Sequence, residues 1–353
     1  MTIRERIIKS LHGEMADIVP FTVYAGDIPQ GETERELRNA GLGFLRRVPI
    51  YKSYMDKVKI CKEEYWENGK QLIRKFIHTP VGEVEERLRT GGGFGTKLRF
   101  EFYIKKAEDY KIVEFMIQNT FYKPNYEEFL EIEKDMGEDG YVAGNLPYTP
   151  MQEMIIMLMG PERFAVDFYE HPELINSLYE TMFKKHRELY QIAAESPAEV
   201  IWHGDNITSE MIGLERFQKY VVNCYNELAS HLHPKGKLVA VHMDGKLNHL
   251  KHAIADSSIN IVEAFTPPPD GDLSIPEARR LWKDKVLWIN YPASFHLKTP
   301  KEIRVYTLKL LKDAVPGDRF LISNTENLTP CVWQRYMKTV TEVLKEKGKL
   351  PLS

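Results

Sequence analysis

The densest group of chemistry-bearing residues lies in 237–272, KLVAVHMDGKLNHLKHAIADSSINIVEAFTPPPDGD. His242, Asp244 and Glu263 there offer one imidazole and two carboxylates. Such a trio suits zinc, whose sites take His nitrogen and Asp or Glu oxygen and, when catalytic, keep one position open for water or substrate. Without a metal the same residues make a strand-end histidine hydrogen-bonded to a carboxylate, and residue types alone favour this plainer reading.

Bringing them together requires a particular local structure. Residues 238–241 are an apolar, β-branched run of strand length that stops at His242-Met243-Asp244-Gly245. Residues 246–256 carry Leu247, Leu250, Ala253 and Ile254 at helical spacing, and 259–262 form a second strand ending at Glu263. This is a βαβ unit. Its right-handed crossover makes the strands parallel and usually neighbours, so His242 and Glu263 open onto one face, and Asp244, two residues from His242, shares that side.

The same change from apolar strand to polar loop recurs along the chain. Residues 18–24 (IVPFTVY) precede a Gly/Pro loop over 25–31, which turns Tyr24 and Asp27 towards the site. Residues 141–144 lead into Asn145-Leu146-Pro147-Tyr148, and 199–202 into His203-Gly204-Asp205-Asn206. Residues 285–290 end on Asn290 and Tyr291, and 319–323 on Asn324-Thr325-Glu326-Asn327. Helical patterns alternate with these runs: 2–12 capped by Thr2 with Glu5 three residues on, 109–113, 122–134, 151–159, 171–195 and 214–233. The alternation predicts an α/β fold, a (β/α)₈ TIM barrel with its site on the carboxyl-end face; an open doubly wound sheet is the alternative. Residues 47–51 read as a weak second strand, and 73–79 with 83–89 as a hairpin outside the barrel. Met151, Met154, Met157 and Met159 read as core filling. Gly91, Gly92, Gly93 and Gly95 lack the pattern of a phosphate loop and read as a mobile connection.

Composition narrows the function. At 353 residues without a linker-like tract the chain reads as one domain over 1–353. Lys+Arg 48 against Asp+Glu 51 gives a formal net charge of −3 spread along the chain, which argues against nucleic acid and anionic membrane as partners. Three cysteines, Cys61, Cys224 and Cys331, have no paired spacing and point to a reducing compartment. The start reads as a charged amphipathic helix instead of a signal peptide, and no run approaches the ~18 apolar residues of a membrane span, so a soluble cytoplasmic protein is expected.

At His242-Met243-Asp244-Gly245 and 263–272 (EAFTPPPDGD) the sequence resembles the uroporphyrinogen decarboxylase superfamily. Thr79-Pro80-Val81-Gly82, His203-Gly204-Asp205-Asn206 and Asn324-Thr325-Glu326-Asn327 extend the likeness over most of the chain. The resemblance implies a (β/α)₈ barrel and either porphyrinogen decarboxylation or zinc-dependent methyl transfer involving a separate corrinoid protein. An octacarboxylate tetrapyrrole needs several arginines, and the Arg-Gln-Ala-Gly-Arg segment that family decarboxylases carry after the first strand is missing from 21–40. Arg35 and Arg38 lie there on a stretch that reads as a solvated helix. Thiol-directed relatives carry His-x-Cys and a distant Cys; Asp244 stands at the first of these cysteines, and Glu326 falls in or next to the place of the second.

By that resemblance His242, Glu263, Glu326 and Asp244 are the candidate zinc ligands, an oxygen-rich set that suits an ether oxygen. The branch implied takes methyl from a small methoxylated aromatic substrate and gives it to the cobalamin of a corrinoid protein. Asp205, Tyr24 and Tyr148 are the candidate proton donors to the leaving oxygen. His203, Asn206, Asn145, Phe265, Asn290 and Tyr291 are the candidate substrate contacts. Trp202, Phe265, Tyr291 and Phe295 are candidates for an aromatic wall, with Trp202 the most ordinary core residue of the four. A homodimer is the assembly allowed for. The other readings are a tetrapyrrole-binding barrel and a noncatalytic module that binds the corrinoid protein.

Overall fold

The computed structural model describes residues 1–91 and 97–352; Gly92, Gly93 and Gly95, expected in a mobile connection, lie outside the described residues. Strands β1 (Phe21–Tyr24) and β2 (Leu42–Pro49) come first, followed by β3 (Tyr51–Met55), β4 (Lys59–Glu67), β5 (Lys70–Thr79), β6 (Gly82–Thr90), β7 (Lys97–Glu101) and β8 (Thr120–Pro124). After them come β9 (Gly140–Leu146), β10 (Val200–His203), β11 (Leu238–His242), β12 (Ile261–Phe265), β13 (Val286–Asn290) and β14 (Phe320–Asn324). Strands β1-β14-β13-β12-β11-β10-β9-β2 close into a barrel and pair in parallel, with helices between them in sequence, which is the (β/α)₈ architecture.

The chain divides into two compact units, one of Met1–Ile50, Asn125–Leu146 and Ala193–Ser353, the other of Tyr51–Pro124 and Pro147–Ile192. The first holds the barrel. Helix α1 (Ile3–Leu11) begins at a capping box, where Thr2 Oγ1 accepts the Glu5 N–H at 3.1 Å and the Glu5 carboxylate accepts the Thr2 N–H at 2.8 Å. Its Ile7 and Leu11 join the lumen residues Leu45, Tyr141, Val200, Ala240, Ile261, Val286, Trp288 and Leu321 in one apolar cluster. Burying each large aliphatic side chain there is worth about 1.5–3 kcal/mol, so the barrel is a packed core and its site must sit above that layer.

In the second unit β4-β5-β6-β7 form an antiparallel sheet and β3 pairs with β8. Helix Ala107–Gln118 packs on β5 and β6, where Ile73, Ile77, Val84 and Leu88 are buried. The expected hairpin is therefore the middle of a larger sheet. Among the described residues no helix is long and apolar enough to cross a membrane.

Several boundaries differ from expectation. The first strand starts at Phe21 because Pro20 has no N–H to give to a ladder. Strand β2 starts at Leu42, upstream of the expected 47–51, and the stretch then breaks at Ile50 before β3. The helix expected from Tyr122 starts only at Tyr126, since Thr120–Pro124 pairs with β3 and Pro124 ends that strand. Between β11 and β12 only Lys251–Asp256 is helical; Asp272 accepts the N–H groups of Leu247 and Asn248 and holds the preceding turn as a loop. Met151 and Met154 are buried as expected, but Met154–Met159 winds as a π-helix.

Candidate functional site

Alternation along each strand places the site. Ala240 belongs to the lumen cluster, so His242, two residues on, also points inward at the carboxyl end of β11. Its register partner on β12 is Glu263, again two beyond a lumen residue, Ile261. The two side chains meet: His242 Nδ1–H donates to Glu263 Oε2 at 2.6 Å. Tyr24 at the end of β1 donates its hydroxyl to Glu263 Oε1 at 2.7 Å and lies 3.1 Å from His242 Nδ1. Trp202 Nε1–H donates to Glu263 Oε2 at 3.0 Å. Glu263 is fully buried, and a buried carboxylate with three donors is compensated where a bare one would not be.

The charges follow from these contacts. Burial works against ionising Glu263, but the His242 charge and its hydrogen bond hold the carboxyl below its usual range. Burial works against protonating His242 as well, and the Glu263 charge with the hydrogen bonds to Asp244 and Glu263 overrides it, raising the imidazole to about 9. Burial and the neighbouring Glu263 charge keep Tyr24 protonated far into the alkaline range. Arg47, two beyond lumen residue Leu45 on β2, lies with its guanidinium 3.7 Å from the Tyr24 ring centroid and 4.4 Å from that of Trp202. Its charge acts on Glu263, Tyr24 and Asp27.

The other nitrogen of His242 faces Asp244, whose charge in turn acts on Glu326. Nε2 lies 3.5 Å from Asp244 Oδ2. Burial would raise Asp244, but its hydrogen bond with His242 holds it low. Burial and the Asp244 charge raise Glu326. Asp27 is pushed up to about 6 by burial, opposed by Arg47 and aided by Glu326. Two loops fix Asp244: Gly245 N–H donates to Ile207 O at 3.1 Å, and Ile207 N–H to His242 O at 3.3 Å. A Cβ on Gly245 would stand 2.2 Å from Thr208 Cβ. The backbone of Glu326 is tied by Asn324 Nδ2–H to Glu326 O at 2.7 Å and by Thr325 N–H to Asn290 Oδ1 at 3.0 Å.

These groups bear on metal binding in two ways. Two ligands each ~2.0 Å from a tetrahedral zinc are about 3.3 Å apart, close to the observed 3.5 Å between His242 Nε2 and Asp244 Oδ2. Those donors fit. Among the described residues no group of three or more His, Cys, Asp or Glu is drawn together as a metal site. Glu263 stands differently from the other three sequence candidates, on the Nδ1 side of the imidazole with its oxygens taken up by donors. That is the position from which a carboxylate orients a metal-bound histidine.

The remaining candidates divide by strand parity. Asn145 pairs in register with Trp202, is half-buried, and among the described residues its Oδ1 meets no hydrogen-bond donor. Asn290 is buried and ties loops together, with Nδ2–H donating to Thr266 Oγ1 at 3.3 Å. His203 alternates away from the lumen and lies 6.0 Å from the ring of Tyr225 on helix Asn223–Leu232. Asp205 accepts the Tyr225 hydroxyl at 2.5 Å. Asn206 is exposed at φ 47. Phe265 follows a bulge at Ala264 (φ 60) and packs edge-on to Trp282 at 5.6 Å. Tyr291 donates to Ile303 O at 3.1 Å and packs on Tyr306, and Phe295 stacks on Tyr306 at 3.9 Å. Tyr148 is half-buried in the second unit. Of the four aromatic candidates, Trp202, the most ordinary on paper, touches the central carboxylate. The sequence reading missed Arg47, which its alternation with Leu45 could have revealed.

A family model described as uroporphyrinogen decarboxylase (URO-D) matches residues 147–346, more than half of the chain. No curated protein sequence matches. Among solved structures, one described as a vitamin-B12-independent methionine synthase from Listeria monocytogenes aligns at 13% identity over 63% of this chain and 68% of its own, TM-score 0.40. A catalytic module of the pneumococcal exo-β-D-N-acetylglucosaminidase StrH aligns at 8% identity over 97% and 85%, TM-score 0.39. A sugar phosphate isomerase/epimerase from Parabacteroides distasonis aligns at 11% identity over 94% of each chain, TM-score 0.31. At these scores no functional argument rests on them.

Proposed function

Because the chain belongs to the uroporphyrinogen decarboxylase family, we propose that it is a methyltransferase of that family, moving the methyl group of a methoxylated aromatic compound to the cob(I)alamin of a separate corrinoid protein. The observation that carries this reading is the donor set around His242: Nδ1 is held by Glu263, and Nε2 faces Asp244 on the side of Glu326. One nitrogen and carboxylate oxygens suit a hard Lewis acid and an ether substrate, whereas an octacarboxylate calls for several arginines. Arg38, on the helix after β1, is already bound to Glu34 and Asp139. Arg47, whose charge acts on Glu263, Tyr24 and Asp27, is a cation suited to a single carboxylate on an aromatic ring.

Zinc held by His242, Asp244 and Glu326 would supply Lewis acidity to the ether oxygen, since phenolate is otherwise a poor leaving group. The protein's own part is to position and protonate. Glu263, fixed by Tyr24 and Trp202, sets the imidazole so that Nε2 faces outward. The transfer would break the methyl–oxygen bond with both electrons going to oxygen; the partner protein's cob(I)alamin, a substrate here, would bring the electron pair that takes the methyl group, and the leaving phenolate would take a proton. We assign that proton to Asp27, which burial raises to about 6 and on which the charges of Arg47 and Glu326 act. The Tyr24 proton is committed to Glu263, and Asp205 is bound to Tyr225.

Incubating the zinc-loaded protein anaerobically with methoxybenzoates and cob(I)alamin should yield phenol and methylcobalamin in equal amounts, and uroporphyrinogen should be returned unchanged. Enzyme-like formation of coproporphyrinogen, with no phenol from any methoxybenzoate, would overturn the reading.

A further inference from the structure

Strand β4 ends its sheet, and among the described residues no strand pairs with its outer edge. It is nine residues long, Lys59–Glu67, and carries two large exposed apolar side chains, Ile60 at 52% and Trp66 at 73%. An open edge of this length presents a row of free N–H and C=O groups, which proteins usually blunt with charge or cover. The connection to β5 fixes which residues point outward. Glu67 pairs with Lys70 across a two-residue turn, Asn68 (φ 51) and Gly69 (φ 73), so that pair is hydrogen-bonded and the odd-numbered residues of β4 bond to β5. Ile60, Lys62, Glu64 and Trp66 therefore turn their backbone groups to the open edge.

We propose that two copies of this chain pair antiparallel through β4, with Glu63 on the two-fold axis. In that register Lys59 faces the other copy's Glu67, Ile60 faces Trp66, Cys61 faces Tyr65 and Lys62 faces Glu64, and the symmetry makes each pair twice. Opposite charges meet, the two exposed apolar side chains cover each other, and the free backbone groups complete a sheet running through both copies. Shifting the register by two residues either way destroys the match: one shift sets Lys62 against Lys62 and Ile60 against Glu64, the other sets Lys62 against Trp66. A shift by one sets side chains of opposite faces together. Glu63 against Glu63 is the unfavourable contact, at a non-hydrogen-bonded position where the strands approach closely.

The test is sedimentation equilibrium of the full chain over micromolar to millimolar concentration. The wild type should dimerise. Lys59→Glu, which sets two like-charge pairs against Glu67, should raise the dimer dissociation constant roughly tenfold or more, and the double variant Lys59→Glu/Glu67→Lys should restore it. Glu63→Gln should tighten the dimer. With Cys61 and Cys331 replaced by Ser, Glu63→Cys should form an intermolecular disulfide on mild oxidation and Lys62→Cys should not, because only position 63 faces itself. A chain that stays monomeric throughout overturns the proposal. So does a dimer indifferent to the charge exchange whose Glu63→Cys variant fails to cross-link, since that dimer uses another surface. Neither outcome touches the barrel chemistry.

Discussion

Glu263 carries the organisation of the site, because three donors converge on one buried carboxylate and that convergence fixes the imidazole whose other nitrogen is used. Replacing it tests this physically. In zinc-stripped protein His242 has a folded pKa of about 9 against an ordinary 6.5, so its stabilising contribution is complete below pH 6.5 and is lost as pH rises to about 9. That loss is on the order of 3 kcal/mol. Glu263→Gln removes the largest charge that holds the proton and leaves Asp244 alone to oppose burial, so His242 should titrate lower and the fall in stability between pH 6.5 and 9 should shrink. Urea titrations across that range check it, and an unchanged slope in the variant would mean that His242 titrates independently of Glu263. At this scale the sequence was partly legible. His242, Glu263 and Asp244 could be read because they end apolar runs. Tyr24 followed from the same rule. Trp202 was read as the most ordinary core residue of the aromatic candidates and Arg47 was missed, since a tryptophan in a strand reads as core and an arginine in one reads as surface. His203, Phe265 and Tyr291 stand next to lumen positions and face the helices instead, which one step of alternation, or one bulge at Ala264, decides.

The strands supply the positions and the loops after them supply precision. His242 and Glu263 come level because β11 and β12 are neighbours in a parallel register, a consequence of the crossover that needed only two apolar runs with an amphipathic stretch between. Boundaries were less legible where the deciding partner is distant in sequence: β3 recruits Thr120–Pro124, and Asp272 holds 247–248 out of a helix. Asp244 depends on such a distant contact, the close approach of Gly245 to Ile207 and Thr208. Gly245→Ala should push that loop away and move Asp244 from His242 Nε2, costing about 1–3 kcal/mol as overpacking does. Zinc affinity should fall by more than this stability loss accounts for. Thermal melts of the apo protein beside a competitive zinc titration separate the two effects, and wild-type affinity in a destabilised variant would remove Asp244 from the site.

At the scale of the molecule, the alternation of strand and helix sufficed to anticipate the closed parallel barrel, because each βα step is local. The sheet outside it was visible only as a hairpin: β4 and β7 are mostly exposed, and their pairing is not written in a period. That His242, Asp244 and Glu263 come together was legible through residue type and position, whereas the side of the imidazole each carboxylate occupies depends on the folded structure. Everything then turns on whether His242 holds a zinc ion that methyl transfer needs. The most direct measurement is zinc content and anaerobic methyl transfer from a methoxybenzoate to cob(I)alamin, made on the same preparations of wild type and His242→Ala. The account predicts about one zinc per chain in the wild type, with an affinity loss of roughly a hundredfold or more and no transfer in a still-folded His242→Ala. Full zinc occupancy and an undiminished transfer rate in His242→Ala would contradict it.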